Sequence, residues 1–195
     1  MPAMYSRTVS RSLPFITLLL GLAAWTCVPA LAADDALSPA ANAAYLAANA
    51  AKPGTITRPS GLQYRVVRGG TGKRPGGNDV ARVAYAIRLI NGTLVDSTTP
   101  VLPASLLVST ISLAGMAEAL PLMHEGDRWQ LTVPPNLAFG PKGAMNGAVG
   151  PNQALVIDLT LISTAPPQAG QTMTQSPFSL WGNGRENGAA FTLRN

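Results

Sequence analysis

Groups able to attack, to shuttle a proton or to hold a metal are scarce in this chain of 195 residues, which has one histidine, His124, and one cysteine, Cys27. A Ser-His-Asp triad needs its histidine beside a serine and an acid, and a catalytic zinc needs three protein ligands. His124 stands alone between Met123 and Glu125, where it reads as a solvated turn residue. The stretch Gly69-Gly70-Thr71-Gly72-Lys73 hints at a phosphate loop. Arg74 stands where Ser or Thr should ligate magnesium, however, and Val67 where the first glycine is needed. What remains is apolar surface with a few placed polar groups. Residues 123–162 carry it: a tight turn, a strand, a Pro-Pro corner, Leu-Ala-Phe-Gly, a Gly-rich loop and a second strand. Phe139 sits at the loop entrance between two strands with apolar alternate residues, which points to a shallow hydrophobic site on a sheet with no nucleophile in it.

The elements that must position such a site are mostly strands. Residues 62–67 read as a short strand, and residues 80–90 alternate Val83, Tyr85, Ile87 and Leu89 with Arg82, Ala84, Ala86 and Arg88. Asn91-Gly92 follows and predicts a two-residue type I′ hairpin, in which both central residues have positive φ. The chain returns through Thr93-Leu94-Val95-Asp96-Ser97, and residues 100–112 read as irregular. A short helix is expected around residues 114–123, limited by Pro121. Residues 128–133 and 154–162 alternate again, with Trp129, Leu131, Val133 and Leu155, Ile157, Leu159, Leu161 on their apolar sides. The fold class is α+β: a curved antiparallel sheet with one short helix against its inner face.

Flanking segments differ in composition. Arg7 and Arg11, an apolar run over residues 13–28 and Ala30-Leu31-Ala32 give residues 1–32 the build of a secretory signal. Its removal would take the only cysteine and leave no membrane segment, which fits an oxidising compartment and a periplasmic or secreted location. The net charge of +5 includes Arg7 and Arg11, so +3 would remain. Lys73-Arg74 is the only adjacent basic pair, and the other arginines are scattered along strands with acids between them. That spacing argues for solubility and against nucleic-acid binding. Residues 33–54 read as a short helical linker, Ala- and Asn-rich and weakly amphipathic, ending at Pro53-Gly54. Residues 55–164 form the domain, and residues 165–195, rich in Pro, Gly, Asn and Thr, read as a disordered tail with isolated Phe178, Leu180, Trp181 and Phe191.

Six pieces in order resemble the FKBP family of peptidyl-prolyl isomerases, in its secreted bacterial branch related to macrophage infectivity potentiator proteins. They are Ser60-Gly61-Leu62-Gln63-Tyr64, Val83-Ala84-Tyr85, Asn91-Gly92-Thr93-Leu94-Val95-Asp96-Ser97, Glu125-Gly126-Asp127-Arg128-Trp129-Gln130-Leu131, Pro134-Pro135-Asn136-Leu137-Ala138-Phe139-Gly140, and Pro151-Asn152. The resemblance implies an apolar pocket that binds proline-containing polypeptide clients, and macrolide-type ligands, and speeds Xaa-Pro rotation without metal or cofactor. It gives Tyr85, Asp96 and Phe139 the polar and catalytic positions and makes Val95, Leu113, Met116, Val149 and Ile157 the lining. Tyr85 would be an aromatic wall, Asp96 the rim acid, Leu113 a backbone N–H donor to the ligand, and Val149 the loop side.

This chain departs from the family at Val95, Met116 and Ile157, where aromatic residues are usual, and at Phe139, which replaces a tyrosine. Each ring lost removes about 0.5–1.5 kcal/mol of edge and stacking contact beyond burial. The missing hydroxyl removes a hydrogen bond of about 1 kcal/mol. Two readings therefore stand: an isomerase for exported proteins, and a catalytically weak peptide-binding chaperone or envelope scaffold on the same frame. The long helical dimerisation arm of some relatives is absent from this sequence, so a monomer is expected.

Overall fold

Period two puts Val83, Tyr85, Ile87 and Leu89 on one face of strand β3 (Val80–Leu89) and Arg82, Ala84, Ala86 and Arg88 on the other. The structure, a computed structural model, describes residues 36–168, together with the backbone of Thr172–Thr174 and Ala190–Thr192. The expected signal lies outside the described residues. β3 pairs along its whole length with β7 (Leu155–Ala165), and β7 pairs on its other side with β6 (Arg128–Val133). β2 (Gln63–Arg68) and β1 (Ile56–Thr57) continue beyond β6, while β4 (Leu94–Ser97) and β5 (Ala104–Leu107) share the far side of β3. The seven-stranded sheet is antiparallel throughout, in the order β1-β2-β6-β7-β3-β4, with β5 paired to the first half of β3. Register shifts between Arg82 and Val83, between Ile87 and Arg88, and between Val66 and Arg68 bend it. This is the α+β arrangement expected from the alternation.

The inner face buries Leu131, Ile157 and Ile87, registered across three strands, beneath α2 (Ala114–Ala119). α2 packs at Gly115: a Cβ there would stand 2.5 Å from Cγ1 of Val133, so the helix backbone rests directly on that side chain. Pro121 has no N–H for the helical ladder, and the chain continues as a 3-10 turn, Leu120–Leu122. Tyr64 stacks on Trp129 at the sheet margin, with ring centroids 4.4 Å apart.

Two features differ from the sequence expectations. Residues 100–112 are not wholly irregular, because Ala104–Leu107 pairs with the start of β3 and Val108–Thr110 forms a 3-10 turn. The hairpin is not type I′: Gly92 has φ of 89° but Asn91 does not have positive φ. Gly92 N–H donates to Leu89 O and Leu89 N–H to Thr93 O, the pattern of a three-residue loop closed by a glycine bulge. Asn91 serves it differently, accepting the Thr93 N–H on its side chain at 3.0 Å. The phosphate-loop lookalike, already set aside on Arg74 and Val67, packs on the turn before β6. A Cβ on Gly70 would strike the backbone of Glu125, and Gly70 N–H is taken by the buried carboxylate of Asp127.

Helix α1 (Pro39–Ala50) begins at Ser38, whose Oγ accepts Ala41 N–H at 3.1 Å, with Pro39 at its first position. Its buried residues are Asn42 and Asn49. Asn49 Nδ2 donates to Gln63 Oε1 and Thr132 Oγ1 at 2.9 and 3.0 Å, on the outer face of the sheet. Gln63 Nε2 returns a bond to Leu46 O at 3.0 Å. Within residues 165–195, the backbones of β8 (Thr172–Thr174) and β9 (Ala190–Thr192) pair antiparallel.

Candidate functional site

Tyr85 and Asp96 meet because the β3–β4 register makes them diagonal neighbours. Asp96 is the partner of Ile87, two residues beyond Tyr85 on the same face. The Tyr85 hydroxyl donates to Asp96 Oδ2 at 2.8 Å. Tyr85 is 3% exposed and Asp96 half-buried, so a polar pair is set into the edge of an apolar layer. Burial, then the hydrogen bond and the charge of Asp96, push the phenol pKa well above its ordinary value, so Tyr85 stays a neutral donor. Its backbone is tied as well. Tyr85 N–H donates to Thr98 Oγ1 at 3.1 Å and Thr98 N–H to Tyr85 O at 2.8 Å, which extends the β3–β4 ladder past Ser97.

The apolar residues singled out above belong to the core cluster that includes Tyr85, or pack on it. Met116, Leu113 and Ile157 are fully buried, and Val149 nearly so, in the same core cluster as Tyr85. Val95 and Phe139 are half-buried and pack against that cluster. Seven of the eight residues thus belong to this core cluster or pack on it, and Asp96 is joined to it through the Tyr85 hydroxyl. Leu113 caps α2, and its carbonyl accepts the N–H groups of Met116 and Ala117 at 2.9 and 3.0 Å. The N–H of a cap residue lies outside its helix's ladder.

The loop that brings Phe139 and Val149 to the floor is held in shape by its own backbone. Ala144 and Val149 exchange N–H···O bonds of 2.9 and 3.1 Å, and Asn152 N–H donates to Gly140 O at 2.7 Å. Positive φ recurs at Gly140, Gly143, Met145, Asn146, Gly147 and Asn152, which folds these residues into successive tight turns. The loop's foot is pinned from α1. Gln153 Nε2 donates to Leu37 O at 2.9 Å, Asn42 Nδ2 to Gln153 Oε1 at 3.2 Å, and Ala154 N–H to Asn42 Oδ1 at 2.8 Å. Sequence reasoning missed Asn42, Gln153 and Thr98. The spacing of Asn42 and Asn49, two helical turns apart on one face, was the signal for the first.

Among the described residues no group of three His, Cys, Asp or Glu side chains is placed to hold a metal. What the arrangement can do is shield an apolar group while offering one fixed, neutral hydroxyl and one carboxylate. A sheet curved over a short helix, with such a pair at its open edge, defines the class of FKBP-like domains.

Comparison with known proteins agrees. Residues 72–162 match the family of FKBP-type peptidyl-prolyl cis-trans isomerases, and residues 31–66 match the domain amino-terminal to it. Over these residues the chain belongs to that family. It is 45% identical over 121 residues to the outer membrane protein MIP of Legionella longbeachae, an alignment covering 62% of this chain and 51% of that protein. It is 36% identical over 129 residues to the macrophage infectivity potentiator of Trypanosoma cruzi, covering 66% and 65%. The crystal structure of FkpA from Escherichia coli superposes with a TM-score of 0.61 at 32% identity, over 65% of this chain and 59% of that one. A peptidyl-prolyl isomerase from Pseudomonas syringae gives 0.60 at 28% identity, over 65% and 92%. The chain spans about half the length of the first curated relatives it matches.

Proposed function

We propose that this protein is a peptidyl-prolyl cis-trans isomerase that assists the folding of exported proteins. The observation that carries the reading is the Tyr85–Asp96 pair set against the apolar cluster of Leu113, Met116, Val149 and Ile157. Rotation about an amide has a barrier of roughly 18–20 kcal/mol, because resonance holds the bond planar and polar. For Xaa-Pro bonds it takes tens to hundreds of seconds uncatalysed. A dry apolar wall under the proline ring favours the twisted, less polar amide over the planar one. Tyr85 and Asp96 orient the client at the rim, Leu113 N–H receives its carbonyl, and Val95 and Phe139 close over the ring. The reaction moves no proton, which suits a phenol that burial keeps neutral.

Export is supported by the signal-like residues 1–32 and by the name of the Legionella relative, outer membrane protein MIP. On this reading residues 33–54 lead into a domain over residues 55–164, the protein acts as a monomer, and macrolide-type ligands compete with clients. A second reading, a peptide-binding chaperone of weak activity, is favoured by one observation: the fully buried residue 116 is a methionine, where the resemblance implies an aromatic. A protease-free isomerisation assay on Xaa-Pro peptides with residues 33–195 decides. Acceleration that falls with changes at Tyr85 or Val149 supports the isomerase. A folded protein that accelerates no such peptide, yet suppresses client aggregation, supports the chaperone.

A further inference from the structure

Arg65, Arg68, Arg82, Arg88 and Arg128 are dispersed in sequence with acids between them, yet all five are exposed and stand at outward positions of β2, β3 and β6. On these three strands and β7 the one outward acid is Asp158. From this placement we propose that the outer face of the sheet is a second binding surface, which takes an extended, acidic segment of a partner polypeptide.

The register shows how the surface is built. Arg68 is the direct partner of Arg128, Arg128 of Thr160, and Thr160 of Ala84, one row across four strands. A recess of about 590 Å³ lies along this row, with Arg68 and Arg128 toward β2 and Pro100 at the opposite side. Small residues, Ala84, Ala86 and Thr160, line it between them. α1 meets the sheet away from this row, through Asn49 on Gln63 and Thr132 and Asn42 on Ala154, and the row of Arg68 and Arg128 lines an open recess.

Arginines directly opposite on adjacent strands repel. Asp158 offsets this only in part, at 3.9 Å from Arg128 Nη2, and Arg68 uses its Nε on Gly126 O at 3.2 Å. A carboxylate entering the recess meets two guanidinium groups and relieves the pair, through bonds stronger than neutral ones. The occupant is a polypeptide for two reasons. Asp158 lies in the recess, where it would repel a continuous polyphosphate, and none of the outward residues of β2, β3, β6 and β7 is an aromatic that could stack a base. The small side chains between the arginines and Pro100 suit the alternate apolar residues of an extended peptide.

The test measures anisotropy of a fluorescent, proline-free decapeptide of glutamates with apolar residues between them, so that the isomerase site is not the binder. The whole chain should bind it, more weakly as salt rises, and should not bind the glutamine version. Arg68→Gln/Arg128→Gln should weaken binding by about tenfold or more, with a melting temperature no lower than the parent's and unchanged isomerisation of short peptides. Ala86→Glu, which leaves both arginines and puts a carboxylate in the recess, should abolish binding too. Equal affinity in these variants, equal binding of the glutamine peptide, or no binding by the parent overturns the proposal. So does arginine-dependent binding of anionic phospholipid vesicles or of a single-stranded oligonucleotide in place of the peptide. The binding readout does not depend on isomerase activity, so failure here and failure of the proposed catalysis are separable.

Discussion

Asn42 accepts the backbone N–H of Ala154 at 2.8 Å through its side-chain carbonyl, joining a helix to the start of β7 across 112 residues of sequence. The same amide donates to Leu37 O, Ser38 O and Gln153 Oε1, so the side chain of a buried residue satisfies both the helix start and the foot of the site loop. A helix with so little apolar surface is docked by amides.

Removing that amide leaves the Ala154 N–H buried without its acceptor, at a cost on the order of 1–3 kcal/mol. Asn42→Ala should lower the urea midpoint by a corresponding amount and speed hydrogen exchange in α1. It should also raise the KM for peptide, because the loop carrying Val149 loses its anchor. Asn42→Asp keeps the acceptor for Ala154 N–H but sets a buried carboxylate against the Leu37, Ser38 and Gln153 oxygens that the amide NH2 served, so it should not restore the stability. Equal exchange rates in α1 for parent and Asn42→Ala would count against this account.

Gly115 and Val133 form a second close pair, since any Cβ at 115 overlaps the valine. Gly115→Ala should lift α2 from the sheet and destabilise by about 1–3 kcal/mol, the usual range for overpacking. Val133→Ala opens a cavity and destabilises by itself. The double variant should be more stable than the two losses predict by addition. Denaturant unfolding of the four proteins measures the difference.

Tyr85→Phe removes the hydroxyl that Asp96 holds. We expect a stability loss of about 1–3 kcal/mol and a fall of about tenfold in kcat/KM. The pH dependence has a definite sign. The folded phenol has its pKa raised above the unfolded value of about 10. Its contribution is constant below pH 10. Above that, the unfolded chain loses the proton while the folded one keeps it, so stability falls as pH rises. Urea titrations at pH 9 and 11 should show a steeper loss in the parent than in Tyr85→Phe.

Val95 and Met116 are both positions where the resemblance implies rings, but the structure separates them. Val95 is half-buried and has room to grow outward, whereas Met116 is fully buried beside Gly115. Val95→Phe should keep the melting temperature within a few degrees and raise kcat/KM severalfold. Met116→Trp should cost about 1–3 kcal/mol of stability before any gain in activity is seen. Thermal melts and the isomerisation assay distinguish the two outcomes.

Alternation by itself determined the inner face. Tyr85, Ile87, Leu131 and Ile157 point to one side because side-chain direction in a strand has period two, and that needs no knowledge of which strand lies beside which. Pro121 likewise set the length of α2, because a residue without an N–H cannot continue the ladder. The six motifs indicated the chain order of the site residues. Tertiary structure alone decided which distant polar groups meet. Asn42 finds Ala154, Asp127 takes the Gly70 N–H, and Arg68 lies opposite Arg128 through strand order and register, long-range pairings that leave no periodic trace in the sequence. The type of the 91–92 turn was decided in the same way. The bulge at Ile87–Arg88 changed the loop from two residues to three, and so one dipeptide that reads as a type I′ turn became half of another.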